Sequence, residues 1–64
     1  MIKSEKKILE HIKSANGLTN PLIAANQTGY AIVTSRRIFK QFLNTNVIFA
    51  EMSDCATFYY VKKI

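Results

Sequence analysis

Apolar positions first recur at helical spacing in the stretch SEKKILEHIKSANG, near the start of the chain. The spacing places one group of them on a narrow stripe of a helix, and this group consists of Ile8, Leu9, Ile12 and Ala15. Ser4 is the expected N-cap, and Glu5 in the first turn suits the positive end of the helix dipole. Asn16 and Gly17 should end the helix, because glycine readily adopts the left-handed conformation found at many helix ends.

The stretch LTNPLIAANQTG predicts a second, shorter helix. Thr19 or Asn20 is expected to cap it, and Pro21 fits the first turn, where its missing N–H costs nothing. The contact surface is expected to come from Leu22, Ile23, Ala24 and Ala25. The two alanines allow another helix to approach closely, and Gly29 should end the element with a positive φ.

The stretch VTSRRIFKQFLNTN predicts a third helix with two distinct faces. On a wheel of about 100° per residue, an arc of roughly 140° is mostly apolar, and it holds Ser35, Ile38, Phe39, Phe42 and Leu43. The opposite arc holds Thr34, Arg37, Lys40, Gln41 and Asn44, with Arg36 at the boundary. Val33 would fall among the polar residues, so the helix is expected to begin near Thr34, capped by Thr34 or Ser35. Asn46 can adopt the left-handed turn that ends it.

The pattern changes after the third helix. VIFAEM and ATFYYVKKI are rich in β-branched and aromatic residues, which favour strands, and SDC can form a short turn between them. Alternation puts Tyr59 and Val61 on one face of the resulting β-hairpin and Phe58 and Tyr60 on the other. Because a lone hairpin is marginal in water, it should pack on the helices. The sequence thus predicts one α+β domain over residues 1–64.

Composition limits the class of protein. Of the 64 residues, 48% are hydrophobic and 11% aromatic, which favours a folded domain over a disordered tail. Cys55 is the single cysteine and His11 the single histidine, so an internal disulfide and a zinc cluster of the usual type are not expected. A reducing, cytoplasmic compartment is the simplest interpretation. No apolar run approaches the roughly 18 residues of a membrane span, and no signal peptide is expected.

The net charge adds a functional expectation. Nine Lys and Arg against four Asp and Glu give the chain a formal charge of +5. A positive field of this size in a small protein favours nucleic acid, an anionic membrane surface or an acidic protein as partner.

The order of elements resembles that of the winged helix-turn-helix family. TNPLIAANQTGY followed by a basic helix resembles a helix-turn-helix, in which alanine suits the first helix and glycine the turn. FLNTNVI resembles the join to the wing, and ATFYYV resembles its returning strand. The resemblance covers nearly the whole chain as a pattern of elements, and small phage, plasmid and fimbrial-operon regulators are similar in size and layout. It implies three helices and a C-terminal two-stranded wing.

The chain departs from the family pattern at three points. Ser35 lies on the core-facing arc where the family usually carries an aliphatic residue. The connection from Asn26 to Val33 is expected to be longer than a tight helix-turn-helix turn. The hairpin tip is short and carries Asp54, whereas a wing that touches DNA more often ends in Arg, Lys or Gly.

The leading functional hypothesis is a transcription regulator that places the third helix in the major groove of double-stranded DNA. Arginine reads guanine, Gln and Asn pair with adenine, and hydroxyl and backbone N–H groups at a helix start hold phosphate. The candidate DNA-binding residues are Thr28, Tyr30, Thr34, Ser35, Arg36, Arg37, Lys40, Gln41 and Asn44. Further phosphate contacts are expected from Lys6, Lys7, Lys62 and Lys63.

Two other interpretations stay open. The basic face can be no more than a solvated face, or the fold can serve as a protein-interaction module that binds a host protein or a second copy of the chain. The second alternative rests on the aromatic hairpin residues Phe49, Phe58, Tyr59 and Tyr60, which so short a chain cannot bury together. An enzyme is not expected, since the sequence has no paired carboxylates, metal spacing or phosphate-binding loop. No cofactor, membrane or small-molecule partner is expected.

Overall fold

The computed structural model describes residues 2–54 and 56–61 and contains three helices followed by an antiparallel hairpin. The elements are α1 (Lys3–Ala15), α2 (Pro21–Thr28), α3 (Ile32–Asn44), β1 (Ile48–Met52) and β2 (Thr57–Val61). This order confirms the predicted α+β arrangement of three helices and a hairpin. Within the described part of the chain, no helix is long and apolar enough to cross a membrane.

Helix α1 has the predicted stripe and the predicted end, but not the predicted cap. Ile8 and Ile12 are completely buried. Asn16 caps the C-terminus in the left-handed conformation, at φ 53°, and Gly17 follows at φ 90°. The prediction of Ser4 as N-cap is wrong, because the Lys6 N–H already donates to the Ile2 carbonyl at 3.0 Å. Ser4 therefore lies inside the first turn; capping is worth only about 1 kcal/mol, and core packing overrides it.

The N-cap of helix α2 is Asn20, one of the two residues predicted for that position. The Asn20 side-chain oxygen accepts the Ile23 N–H at 2.9 Å, and Pro21 occupies the first helical position. The Gly29 N–H donates to the Ala25 carbonyl at 2.9 Å, with Gly29 at φ 81°. This geometry confirms the expected end of the helix.

The predicted contact surface of α2 is right for its alanines only. Ala24 and Ala25 are buried, whereas Leu22 and Ile23 are 58% and 40% exposed. In a helix of eight residues, the face that includes the alanines packs on the neighbouring helices, and Leu22 and Ile23 project from the other side.

Helix α3 begins earlier than predicted, at Ile32 with Ala31 as its N-cap. Since α2 ends at Thr28, the connection between the two helices is only the three residues 29–31. The predicted start near Thr34 and the predicted long connection are therefore both wrong. Gly29 in the left-handed conformation ends α2 sharply, so that α3 can begin three residues later. A turn of this length is typical of a helix-turn-helix. At the other end, Asn46 has the expected positive φ, at 61°.

Ser35 is a polar residue on the buried arc of α3, and a hydrogen bond accommodates it there. Its side chain is completely buried, and its hydroxyl donates to the Pro21 carbonyl at 2.7 Å. Because the first carbonyls of α2 lie beside α3, the serine ties the start of one helix to the other. An aliphatic residue at this position would leave that carbonyl without the bond.

The core lies between the helices and the inner face of the hairpin. It consists of Ile8, Ile12, Ala24, Ile38, Phe39, Phe42 and Ile48, with Leu9, Tyr30, Leu43, Val47, Tyr59 and Val61 packed around it. His11 is half-buried, and its Nε2 lies 2.6 Å from the hydroxyl oxygen of the buried Thr19. This contact joins α1 to the loop that leads into α2.

The hairpin pairs Ile48 with Val61 at one end and Met52 with Thr57 at the other. Tyr59 meets the Phe39 ring edge-on, with centroids 5.0 Å apart, while Tyr60 lies against Phe49 on the opposite face. The predicted alternation is thus confirmed. Gly17, in the loop after α1, forms an isolated antiparallel bridge with Tyr59, which fastens the hairpin to α1.

Candidate nucleic-acid interface

The solvent side of α3 forms a continuous basic face. Its exposed residues are Val33, Arg36, Arg37, Lys40, Gln41 and Asn44. They recur three or four positions apart, so they lie one above the other along the helix. The helix contains three cationic residues and no acidic residue. We call this surface the α3 face.

The cationic side chains of the α3 face are not paired within the described part of the chain. Among the described residues, no ion pair or hydrogen bond involves the side chains of Arg36, Arg37 or Lys40. Their charge is directed to solvent, and their donors remain available to an external acceptor. A phosphate or a base edge is an acceptor of this kind.

One edge of the α3 face is attached to α1. The Gln41 side-chain amide donates to the Glu5 carboxylate at 3.0 Å, across an exposed gap between the two helices. Glu5 was expected only to favour the start of α1. In the structure it also orients Gln41, so this predicted DNA-binding residue has a partner inside the protein.

Ser35 does not belong to the α3 face, and the prediction that it holds a phosphate is wrong. Its hydroxyl is buried on Pro21, and its backbone N–H donates to the Ala31 carbonyl at 3.0 Å. Both donors that the hypothesis assigned to phosphate are therefore used within the fold. Thr34 lies in the first turn of α3 and is half-buried.

Thr28 and Tyr30 flank the turn rather than the α3 face. The Thr28 hydroxyl donates to the Ala24 carbonyl at 2.6 Å. The same residue borders a shallow, open depression between α1 and α2, whose other lining residues are Lys7, Glu10, His11, Ser14 and Gln27. Tyr30 is partly buried and packs against the core. The structure thus brings five of the predicted residues together, namely Arg36, Arg37, Lys40, Gln41 and Asn44, and separates Thr28 and Ser35 from them.

Val33 is a member of the α3 face that the sequence analysis left out. It is 73% exposed and stands one turn before Arg37 and two turns before Lys40. The helical wheel already places Val33 among the polar residues of α3, which indicates that it is exposed. Val33 is absent from the predicted face because the helix is expected to begin only near Thr34.

The hairpin end differs in charge from the α3 face. Glu51 and Asp54 are both exposed there, and Met52 between them is 82% exposed. The Glu51 carboxylate accepts the Tyr60 hydroxyl at 3.0 Å. This hydrogen bond is the main cause that raises the pKa of Tyr60 above its ordinary value. Lys62 and Lys63, predicted to contact phosphates, and Cys55 lie outside the described residues.

Comparison with known protein families, with curated proteins and with solved structures finds no significant match to this chain. The functional argument therefore rests on the residues and geometry described above.

Proposed function

We propose that this protein is a winged helix-turn-helix protein that binds double-stranded DNA and acts as a small cytoplasmic transcription regulator. The observation that carries the proposal is the α3 face, which holds three exposed cations that have no partner among the described residues and no acidic neighbour on the same helix. Such a surface binds the phosphate backbone by releasing condensed counterions.

The dimensions of α3 suit the major groove. Thirteen residues give a rod of roughly 20 Å, and a helix with its side chains is about 10–12 Å across. The major groove of B-DNA is about 12 Å wide and accepts one α-helix. The short turn after Gly29 supports this placement, since it is typical of a motif whose second helix enters the groove.

The residues of the α3 face fall into two groups by position. Arg37, Lys40 and Asn44 follow one another along the middle of the face and are the residues that we assign to base edges. Arg36 lies at the border and is assigned to the phosphate backbone, with Thr34 and the N–H groups of the first turn. The acidic hairpin end repels phosphate, so the wing is assigned no contact with DNA.

The proposal is tested by the double variant Arg37→Ala plus Lys40→Ala in fluorescence polarisation with a random duplex of roughly 25 base pairs. On a random duplex the two side chains act through their charge, and each phosphate contact that is lost lowers the salt slope of binding by about 1, so we expect affinity at low salt to fall at least about tenfold. The matched control is Lys3→Ala plus Lys13→Ala, which removes the same charge from exposed positions of α1 that are assigned no contact with DNA. Equal affinities for wild type and the α3 variant would refute the proposal, and equal losses in both variants would show a general charge effect only.

A second candidate function, a protein-interaction module, is favoured by the outer face of the hairpin. The rings of Phe49 and Tyr60 lie 5.9 Å apart there, and Tyr60 is 37% exposed. Aromatic residues in such positions are enriched at protein interfaces. Sedimentation velocity at micromolar concentration tests the homodimeric form: association that Tyr60→Ala weakens supports it, and a strict monomer contradicts it.

A further inference from the structure

Val33 is the only apolar side chain of α3 that is exposed rather than buried or half-buried. The other apolar residues of the helix are buried or half-buried, namely Ile32, Ile38, Phe39, Phe42 and Leu43. Val33 is 73% exposed and lies on the same ridge as Arg37, Lys40 and Asn44. An aliphatic group therefore stands in the first turn of a face that is otherwise cationic and polar.

Folding does not account for this valine. At 73% exposure most of its apolar surface stays in water, so it contributes little to burial. A β-branched residue also has a lower helix propensity than alanine, lysine or glutamine. The position is thus neither packed nor favourable for the helix. What distinguishes Val33 from the other exposed apolar residues of the described chain is its place in the first turn of the α3 face, where a molecule bound to that face would meet it.

We infer that Val33 recognises the C5-methyl group of thymine in the major groove. This inference rests on the proposed function and extends it to the specificity of the same face. The thymine methyl is the apolar group that base pairs display in the major groove, and side chains with methyl groups contact it. Residues in the first turns of a recognition helix are those that reach base edges, and Val33 occupies the first turn of α3.

Replacing thymine by deoxyuridine tests the inference, because it removes the methyl group and leaves every donor and acceptor of the base unchanged. The probe is an alternating A·T duplex of roughly 25 base pairs, compared with the same duplex carrying deoxyuridine at every thymine. Burying a methyl-sized group is worth about 0.8 kcal/mol, so wild type should bind the thymine duplex about fourfold more tightly. Val33→Ser, which leaves no methyl group at this position, should bind both duplexes equally, with the affinity of wild type for the deoxyuridine duplex.

Leu18→Ser is the matched control, since Leu18 is also 73% exposed but lies in the loop after α1. It should keep the fourfold preference of wild type. Equal binding of both duplexes by wild type would overturn the inference, and so would a preference that survives in Val33→Ser or disappears in Leu18→Ser. In each of those cases salt-dependent binding to both duplexes would leave the proposed function intact. Absence of binding to either duplex would overturn both.

Discussion

Among single residues, Ser35 shows what pattern alone leaves undecided. The wheel correctly places it on the buried arc of α3, but it does not indicate what a buried hydroxyl bonds to. The Pro21 carbonyl that accepts the hydrogen bond lies 14 positions earlier in the chain, and only the packing of α2 on α3 brings the two together. Val33 shows the converse: its exposure follows from the wheel once the start of the helix is known.

Ser35→Ala should therefore destabilise the protein. It removes the hydrogen bond that the buried Ser35 hydroxyl donates to the Pro21 carbonyl, which costs about 0.5–1.5 kcal/mol, and urea unfolding followed by circular dichroism measures the change. Ser53→Ala is the control, because the Ser53 hydroxyl makes only an exposed contact at 3.3 Å with the Ala56 carbonyl. We expect the control to change stability by less than about 0.5 kcal/mol. Equal stabilities of Ser35→Ala and wild type would show that the hydrogen bond does not hold the helices together.

At the level of helices and strands, the sequence predicts elements well and their first residues poorly. The end of α2 at Gly29 follows from local chemistry, as does its cap at Asn20, because an Asn before a proline fits a helix start. The caps at Ile2 and Ala31 have no such signal, since neither side chain can accept a hydrogen bond. Both helices therefore begin without a side-chain cap, and the sequence gives no local signal for their first residues.

The turn between α2 and α3 depends on Gly29. Its φ of 81° is unfavourable for any residue with a Cβ, although the space around that Cβ is open. Gly29→Ala should therefore lower the free energy of unfolding by about 1 kcal/mol, and Gly29→Asn by less, because asparagine tolerates the left-handed region better. The same urea experiment measures both variants. A neutral or stabilising Gly29→Ala would mean that the turn does not require this conformation.

The hydrogen bond between Tyr60 and Glu51, on the outer face of the hairpin, predicts a loss of stability at alkaline pH. The hydrogen bond to the Glu51 carboxylate favours the protonated phenol and raises the pKa of Tyr60 above 10.0. Its stabilising contribution is complete below pH 10 and is lost as the pH rises through the folded-state pKa. In Glu51→Gln the pKa of Tyr60 should return toward its ordinary value, as followed by tyrosinate absorbance. Tyr60→Phe identifies the signal among the three tyrosines, and an unchanged pKa in Glu51→Gln would contradict the assignment.

Across the whole molecule, charge is distributed unevenly. The α3 face is cationic, whereas two of the three exposed acids, Glu51 and Asp54, lie on the hairpin and the third, Glu10, lies on α1. The net charge of +5 is evident from composition, but composition does not show that the arginines of α3 have no partner in the described part of the chain or that Gln41 has one in Glu5. Those facts depend on how α1 packs beside α3. They make the basic face a candidate surface for phosphate rather than part of an internal salt-bridge network.

The most direct measurement is the affinity of the wild-type protein for a random duplex of roughly 25 base pairs over a series of salt concentrations. If Arg36, Arg37 and Lys40 each displace a counterion, the plot of log K against log salt should have a slope of about −3 or steeper. Binding that is absent at low salt, or that has a slope shallower than about −1, would contradict a DNA-binding role for α3.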